Sequence, residues 1–421
     1  MNQSKRNIFL FGAGAVIDWN APKTSELTEL MLQWGFRAKD DKTITFHIKD
    51  ILEKNGHSVN FETILSVIEE LIVYYAGKKR SKHKNSMMVP FLSGNDLLCS
   101  FLNYSVNGDP NSSYTLNIPK YELASNRRAS PDKSPNQFFF ERLLTNLLSD
   151  IEGNVDRYSY NSKSLSNIEN QNNNTLNDSF AHWIKTFVDN QEIVRLYTLN
   201  YDRLNKVILE NRGIDVFEGF DSKAIVSDWN GIEPKLPRIV NDMDCVCSYN
   251  LHGCAYWELK ELKNLKTFLP FLIPGIHGAD NYFEAPSSET EKGKSIICTN
   301  IIAGYQKAQQ SVLSPYKQMQ ASFDRDCINA DNIYIIGYSF SDEHINESIK
   351  MALIFNPNLK IHIIDCGFWE NIYSKYHSEF IQISPYNENI DFSSKIRSIR
   401  NTIIYDYKFK DFLMEKIKIQ T

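Results

Sequence analysis

Asn7-Ile8-Phe9-Leu10-Phe11 is a short apolar run that breaks off at Gly12-Ala13-Gly14, and it reads as a buried strand ending in a glycine turn. Comparable runs return at Ile193–Thr198, around Tyr249–Leu251, and at Phe268–Ile273, Ile333–Ile336 and Ile361–Ile364. Several are continuous rather than alternating, as parallel strands covered on both faces require. Helical patterns lie between them, for example Ile345, Ile349, Ala352 and Leu353. The expected fold class is therefore α/β: a Rossmann-like parallel sheet flanked by helices, with a large helical insertion after the first strand.

The pattern divides the 421 residues into a Rossmann-like core over 1–24 and 191–370, a helical insertion over 25–190, and a C-terminal tail over 371–421. The tail is expected to be helical and ends in Phe409-Lys410-Asp411-Phe412-Leu413. Within the insertion, Phe61, Ile64, Leu65, Ile68, Leu71, Ile72 and Tyr75 recur at helical spacing, as do Phe139, Leu143, Leu144, Leu147 and Leu148. Such stripes are core, without chemistry. The Ser/Asn-rich stretch near 159–177, with Asn172-Asn173-Asn174, predicts a disordered surface loop. Thr24 or Ser25 is expected to cap the helix that continues through Leu27, Leu30 and Met31.

Composition removes several function classes. A net charge of -5 and a pI near 6.0 argue against direct nucleic-acid or membrane-surface binding. Lys78, Lys79, Arg80, Lys82 and Lys84 form a local basic cluster that reads as a solvated loop. No apolar run is long enough for a bilayer span. Ile8–Ile17 is not a signal-peptide core, since it holds two glycines, is followed by Asp18 and lacks a small-residue cleavage site. Seven scattered cysteines suit free thiols in a reducing compartment, so the expected localisation is cytoplasmic.

Polar motifs follow the ends of the apolar runs, which is where open α/β sheets bind ligands. Gly12-Ala13-Gly14 lacks the third glycine of a dinucleotide fingerprint, with Ile17 in its place, and alone it fits a nucleotide loop or an ordinary tight turn. In Thr198-Leu199-Asn200-Tyr201-Asp202, Asn200 and Asp202 either face a ligand or cap the helix through Val207 and Ile208. Leu251-His252-Gly253 and Gly337-Tyr338-Ser339-Phe340-Ser341-Asp342 follow two further runs. Asp365 follows the last, where a carboxylate suits a ribose diol. Cys245, Cys247, His252 and Cys254 do not have the spacing of a usual zinc site, and no metal is expected.

The order of these motifs resembles the sirtuin family, more closely its bacterial sirtuin-like branch found in antiphage defence. The Gly-Ala-Gly loop is matched by Gly12, Ala13 and Gly14, with Pro22 eight residues on; Asn-x-Asp by Asn200 and Asp202; His-Gly by His252 and Gly253; Gly-x-Ser by Gly337 and Ser339. The resemblance covers roughly residues 7–20 and 193–366, and leaves the insertion and the tail without a motif. Two features depart from deacylating sirtuins: Lys23-Thr24-Ser25 stands where they carry Asp-Phe-Arg, and their two zinc-holding Cys-x-x-Cys pairs are missing.

The resemblance implies NAD as substrate, and hydrolysis of its nicotinamide–ribose bond to nicotinamide and ADP-ribose. It gives Asn200 the placing of water and ribose, Asp202 the carboxamide, and His252 the role of general base near its ordinary pKa of ~6.5. Gly12, Ala13 and Gly14 approach the pyrophosphate, while Gly337, Ser339 and Asp365 serve the adenosine half. His277, in Pro274-Gly275-Ile276-His277-Gly278, is not counted as a site residue, because glycine-flanked loops are often just turns. The implied partners are a homo-oligomer and a HerA-type ATPase that gates the enzyme. Two alternatives stay open: an NAD- or ADP-ribose-binding regulatory module without turnover, and an NAD-dependent protein deacylase.

Overall fold

The computed structural model describes residues 4–34, 41–74, 135–223, 231–262, 267–273, 287–291, 294–303, 307, 312–380 and 394–420. Along the chain these form β1 (Arg6–Phe11), α1 (Thr24–Met31), α2 (Ile44–Lys54), α3 (Phe61–Tyr74), α4 (Pro135–Ser159) and α5 (Asn174–Asp189). Next come β2 (Ile193–Thr198), α6 (Leu204–Glu210), α7 (Leu236–Asn241), β3 (Cys247–Asn250), β4 (Trp257–Leu262), β5 (Thr267–Leu272), β6 (Ser287–Glu291) and β7 (Lys294–Ile297). The remainder is α8 (Tyr316–Ile328), β8 (Asn332–Ile336), α9 (Glu343–Phe355), β9 (Lys360–Ile364), α10 (Tyr373–Phe380), β10 (Ile396–Ile399), β11 (Thr402–Tyr405) and α11 (Phe409–Gln420).

Seven strands make one sheet in the order β10-β11-β9-β8-β1-β2-β3, parallel except for β10. The fold is thus Rossmann-like, with helices on both faces. Its register aligns Phe11 with Thr198 on one side and Ile336 on the other, and carries on to Asn250, Ile364 and Tyr405. The residues that follow these ends share one edge. Strand order reverses about β1, so the crevice between β1 and β8 is the expected ligand position of such a sheet.

Alternation along β1 explains the two layers. Phe9 and Phe11 point to one face, where Phe9 stacks on Tyr334 (4.8 Å between centroids) and meets Trp183 and Phe187 of α5 edge-on. Phe409 and Phe412 of α11 close the same aromatic layer. On the opposite face Arg195 and Tyr197 of β2 meet α8: Arg195 Nε lies 2.7 Å from Asp326 Oδ2, and the Tyr197 hydroxyl donates to the same oxygen at 2.6 Å. Both side chains are fully buried.

Several expectations need correction. The run Phe268–Ile273 is not a sheet strand: β5 pairs antiparallel with β4 in a separate two-stranded unit. The tail is not simply helical, because β10 and β11 form a hairpin before α11 and β11 joins β9 in parallel. Thr402-Ile403-Ile404-Tyr405 is β-branched and aromatic, which favours a strand at that edge. The stretch 159–177 is an ordered connection. Its asparagines turn their amides on backbone carbonyls, with Asn177 Nδ2 donating to Ile168 O at 2.9 Å and Asn167 Nδ2 to Asp156 O at 3.1 Å, and Ile168 is buried. Asparagine-rich sequence satisfied this way caps and turns instead of drifting. The last helix of the expected insertion, α5, is a flanking layer of the sheet itself.

The stripes fall where expected. Ile64, Leu65, Ile68, Leu71 and Ile72 are buried along α3, and Leu143, Leu144, Leu147 and Leu148 along α4, and these two helices pack together. Lys23, not Thr24 or Ser25, precedes the first turn of α1, and its N–H is received by Glu26 Oε2 at 2.9 Å. Tyr75, the basic cluster 78–84, Cys99 and His277 lie outside the described residues. No helix among the described residues is long and apolar enough to cross a membrane.

Candidate functional site

At the carboxyl edge of the sheet a cavity of about 710 Å³ opens above β1 and β8. That volume is within the ~300–1,000 Å³ usual for small-molecule sites. Gly12, Ala13, Gly14, Asn200, His252, Gly337 and Ser339 all line it, so loops from four strands meet around one space. Helices α3 and α4 of the insertion contribute Glu62, Asn154 and Tyr158, and the segment before α1 contributes Pro22 and Lys23.

The two glycine loops are built against each other. A side-chain carbon on Gly12 would stand 2.5 Å from Gly337 O, and one on Gly337 only 2.3 Å from Ala15 N, at a positive φ of 58°. Glycine is therefore required here by contact between β1 and β8 turns. This changes the phosphate reading of the loop. Gly12 N donates to Ile336 O and Gly14 N to Gly337 O, both at 2.9 Å, so these amides are already committed to the fold. Of the three, only the Ala13 N–H is not committed to a backbone acceptor among the described residues.

Asn200 is fixed by its own amide, whose Nδ2 donates to Gly12 O at 3.0 Å. Asn250 in turn donates to Asn200 O (2.9 Å) and Asp202 O (2.7 Å), locking the turn after β2 to the end of β3. The Asn200 Oδ1 is left without a partner among the described residues. Asp202 behaves differently and does not line the cavity. Its Oδ1 accepts the Leu204 N–H at 2.9 Å, capping α6, and its Oδ2 accepts the Tyr158 hydroxyl at 2.8 Å. Burial raises its pKa above the ordinary carboxylate range, against the opposing pull of these two bonds. The cavity meets Tyr158, with Asp202 behind it.

His252 is 3% exposed, and its Nε2 has no hydrogen-bond partner among the described residues. An imidazole nitrogen held without a partner at a cavity wall is free to accept a proton or a hydrogen bond from a ligand. Burial, then the nearby Lys307 ammonium, push His252 well below its usual value, against the opposing charge of Asp342. The expectation of an ordinary pKa is thereby corrected: burial and the Lys307 ammonium favour the neutral imidazole. His344 lies 5.5 Å away between ring centroids and is lowered by burial too.

Asp365 is at the same edge but is not among the cavity residues; its Oδ1 receives the Gly367 N–H at 2.7 Å, and Asn371 lines that end instead. Ser339 does face the cavity and shares a hydrogen bond with Ser341 at 3.0 Å. Tyr158, Glu62, Lys307 and Asn371 carried no sequence signal, because each reaches the site only through tertiary packing. Asp342 did stand inside a quoted motif.

Among the described residues no group of three or more His, Cys, Asp or Glu is placed to hold a metal ion. Cys247 and Cys254 are buried, and the thiols of both are pushed up by burial.

No protein-family model matches the chain, and no curated protein is significantly similar to it. Among solved structures, similar chains include a Sir2 homologue mutant in complex with 2′-O-acetyl ADP-ribose (11% identity, TM-score 0.38, covering 99% of this chain and 92% of that one). A Sir2 complex with p53 peptide and NAD+ is similar at 10% identity and TM-score 0.35, covering 100% and 95% of the two chains. A Sir2 homologue–NAD complex is similar at 11% identity and TM-score 0.38, covering 99% and 90%.

Proposed function

We propose that this chain is an NAD+ hydrolase that cleaves the nicotinamide–ribose bond. The observation that carries the reading is the meeting of Asn200, His252, the paired glycine turns and Ser339 around one cavity, with the His252 Nε2 buried there and unpartnered among the described residues. Cleavage passes through an oxocarbenium-like state at the ribose carbon, so the site needs a placed water, a proton acceptor and relief for developing positive charge. Asn200, steadied by Gly12 O, offers its Oδ1 to the water and the ribose. His252 takes the proton of a ribose hydroxyl or of the water. Glu62, Lys307 and Asp342 together carry one net negative charge beside His252, which can follow the positive charge as it passes from the pyridinium nitrogen to the ribose carbon.

NAD fits the described lining: Lys23 is a cavity-facing cation for the pyrophosphate, and Ser339, Ser341 and Asn371 supply hydrogen-bonding groups at the far end. The sequence resemblance to sirtuins supports the same substrate. The test is release of nicotinamide and ADP-ribose by the purified chain. His252→Ala and Asn200→Ala are expected to lower the rate by ~10²–10⁴. Undiminished turnover in folded His252→Ala protein would remove the mechanism, and stoichiometric NAD binding without release would leave a binding module. The cellular setting, an antiphage effector acting as a homo-oligomer and gated by a HerA-type ATPase, is proposed on the sequence resemblance alone. NAD levels unchanged by infection of cells carrying both genes would remove it.

A further inference from the structure

Lys307 stands between two carboxylates contributed by separate parts of the fold. Its Nζ lies 2.8 Å from Glu62 Oε1 on α3 of the insertion and 2.7 Å from Asp342 Oδ1 at the start of α9. The lysine and Asp342 side chains are each only 11% exposed. All three line the cavity beside His252, and the bridge joins the insertion to the β8 turn across it. Desolvated ion pairs of this kind hold fixed geometry and act strongly on neighbours, because little water screens them.

We propose that Lys307 is a positioning residue for His252: anchored between Glu62 and Asp342, its ammonium keeps the imidazole in the neutral, proton-accepting form while it clamps α3 over the cavity. This rests on the reading of His252 as the proton acceptor. Among the described residues the groups facing His252 are Lys307, Asp342 and His344; Glu62 acts one step removed through Lys307, and Tyr158 and Tyr201 stay protonated phenols on the cavity wall. Lys307 and His344 disfavour the imidazolium, whereas Asp342 favours it. The ion bridge resolves that conflict, since an Asp342 carboxylate occupied by Lys307 is a weaker partner for a protonated His252. Its own pKa is below the ordinary range: burial works against this, but His252 and Lys307 outweigh it.

The two sides of the bridge predict shifts of opposite sign. With histidine labelled at Cε1 and the His252 resonance assigned from His252→Gln, wild-type His252 should not titrate between about pH 7.5 and 5.5, a window that brackets an ordinary histidine. In Lys307→Met, where burial still acts, the midpoint should rise above that of wild type when the titration is carried to lower pH, and the acid limb of kcat/KM should move up with it. Lys307→Arg should restore both. Asp342→Asn removes the one group that favours the imidazolium, so His252 should titrate no higher than in wild type. A Lys307→Met titration indistinguishable from wild type overturns the proposal, and so does a raised midpoint in Asp342→Asn. Should Lys307→Met not fold, Asp342→Asn still decides. The titration needs no NAD, so failure of hydrolysis and failure of the lysine's role are read separately.

Discussion

The two acidic and amide residues of the Asn200–Asp202 turn illustrate what a motif does and does not state. Sequence placed both at a strand end, and left ligand contact and helix capping equally open. The structure divides them: Asn200 faces the cavity, while Asp202 caps α6 and holds Tyr158. Nothing local marks Tyr158, because it sits in a helix 44 residues upstream and meets Asp202 only after α4 packs. Its hydroxyl is the one side-chain donor to Asp202 among the described residues. Tyr158→Phe should therefore lower stability by about 1–3 kcal/mol, the cost of leaving a buried acceptor unmet, while keeping the ring's packing. Urea denaturation would show it; an unchanged midpoint would mean that Asp202 finds another donor.

Among the elements, those carried by continuous apolar runs were legible, because a strand buried on both faces writes its burial directly into the sequence. β1 and β8 are of this kind, and β2 and β9 are so but for Arg195 and His362. The edge strands were not legible: β10 has exposed Ile396 and Ser398 around half-buried Arg397 and buries only Ile399, and β11 has a pattern that a terminal helix could equally use. β5 was legible as a strand but not as to partner, since apolar character does not say which sheet receives it. Arg195 interrupts β2 with a charge, and only the structure supplies its reason in α8. Asp326 gathers Arg195, the Tyr197 hydroxyl, Arg6 at 3.7 Å and Arg325. Asp326→Ala would leave the fully buried Arg195 guanidinium without its carboxylate, a change that typically costs about 3–5 kcal/mol. Chemical denaturation should find that loss although the cavity lies at the other end of the strand. A midpoint within roughly 0.5 kcal/mol of wild type, the range of an ordinary surface substitution, would show that the backbone carbonyls of Asp242 and Cys245 suffice for Arg195.

For the molecule as a whole, the chemistry at the cavity and the pH dependence of folding are linked through the same histidines. His252 and His344 are both held below the usual value of 6.5, burial being the largest cause in each. The unfolded chain therefore takes up these two protons first as pH falls through about 6.5, and stability declines from there down to the depressed folded values. Each group contributes at most about 1.4 kcal/mol per pH unit in that window. Asp202 and Asp365, whose pKa values burial raises, act in the opposite sense. They bind protons in the folded state before the unfolded chain does, so their contribution grows as pH falls through their folded values. Replacing both histidines separates the two effects: in His252→Gln/His344→Gln the decline that begins near pH 6.5 should flatten, while the carboxylate contribution stays. Urea midpoints measured at steps from about pH 7.5 to 5.5 decide it. If wild type and double variant fall in parallel over that range, the histidines are protonated in the folded chain as readily as in the unfolded one. The neutral base on which the proposed hydrolysis depends would then not exist.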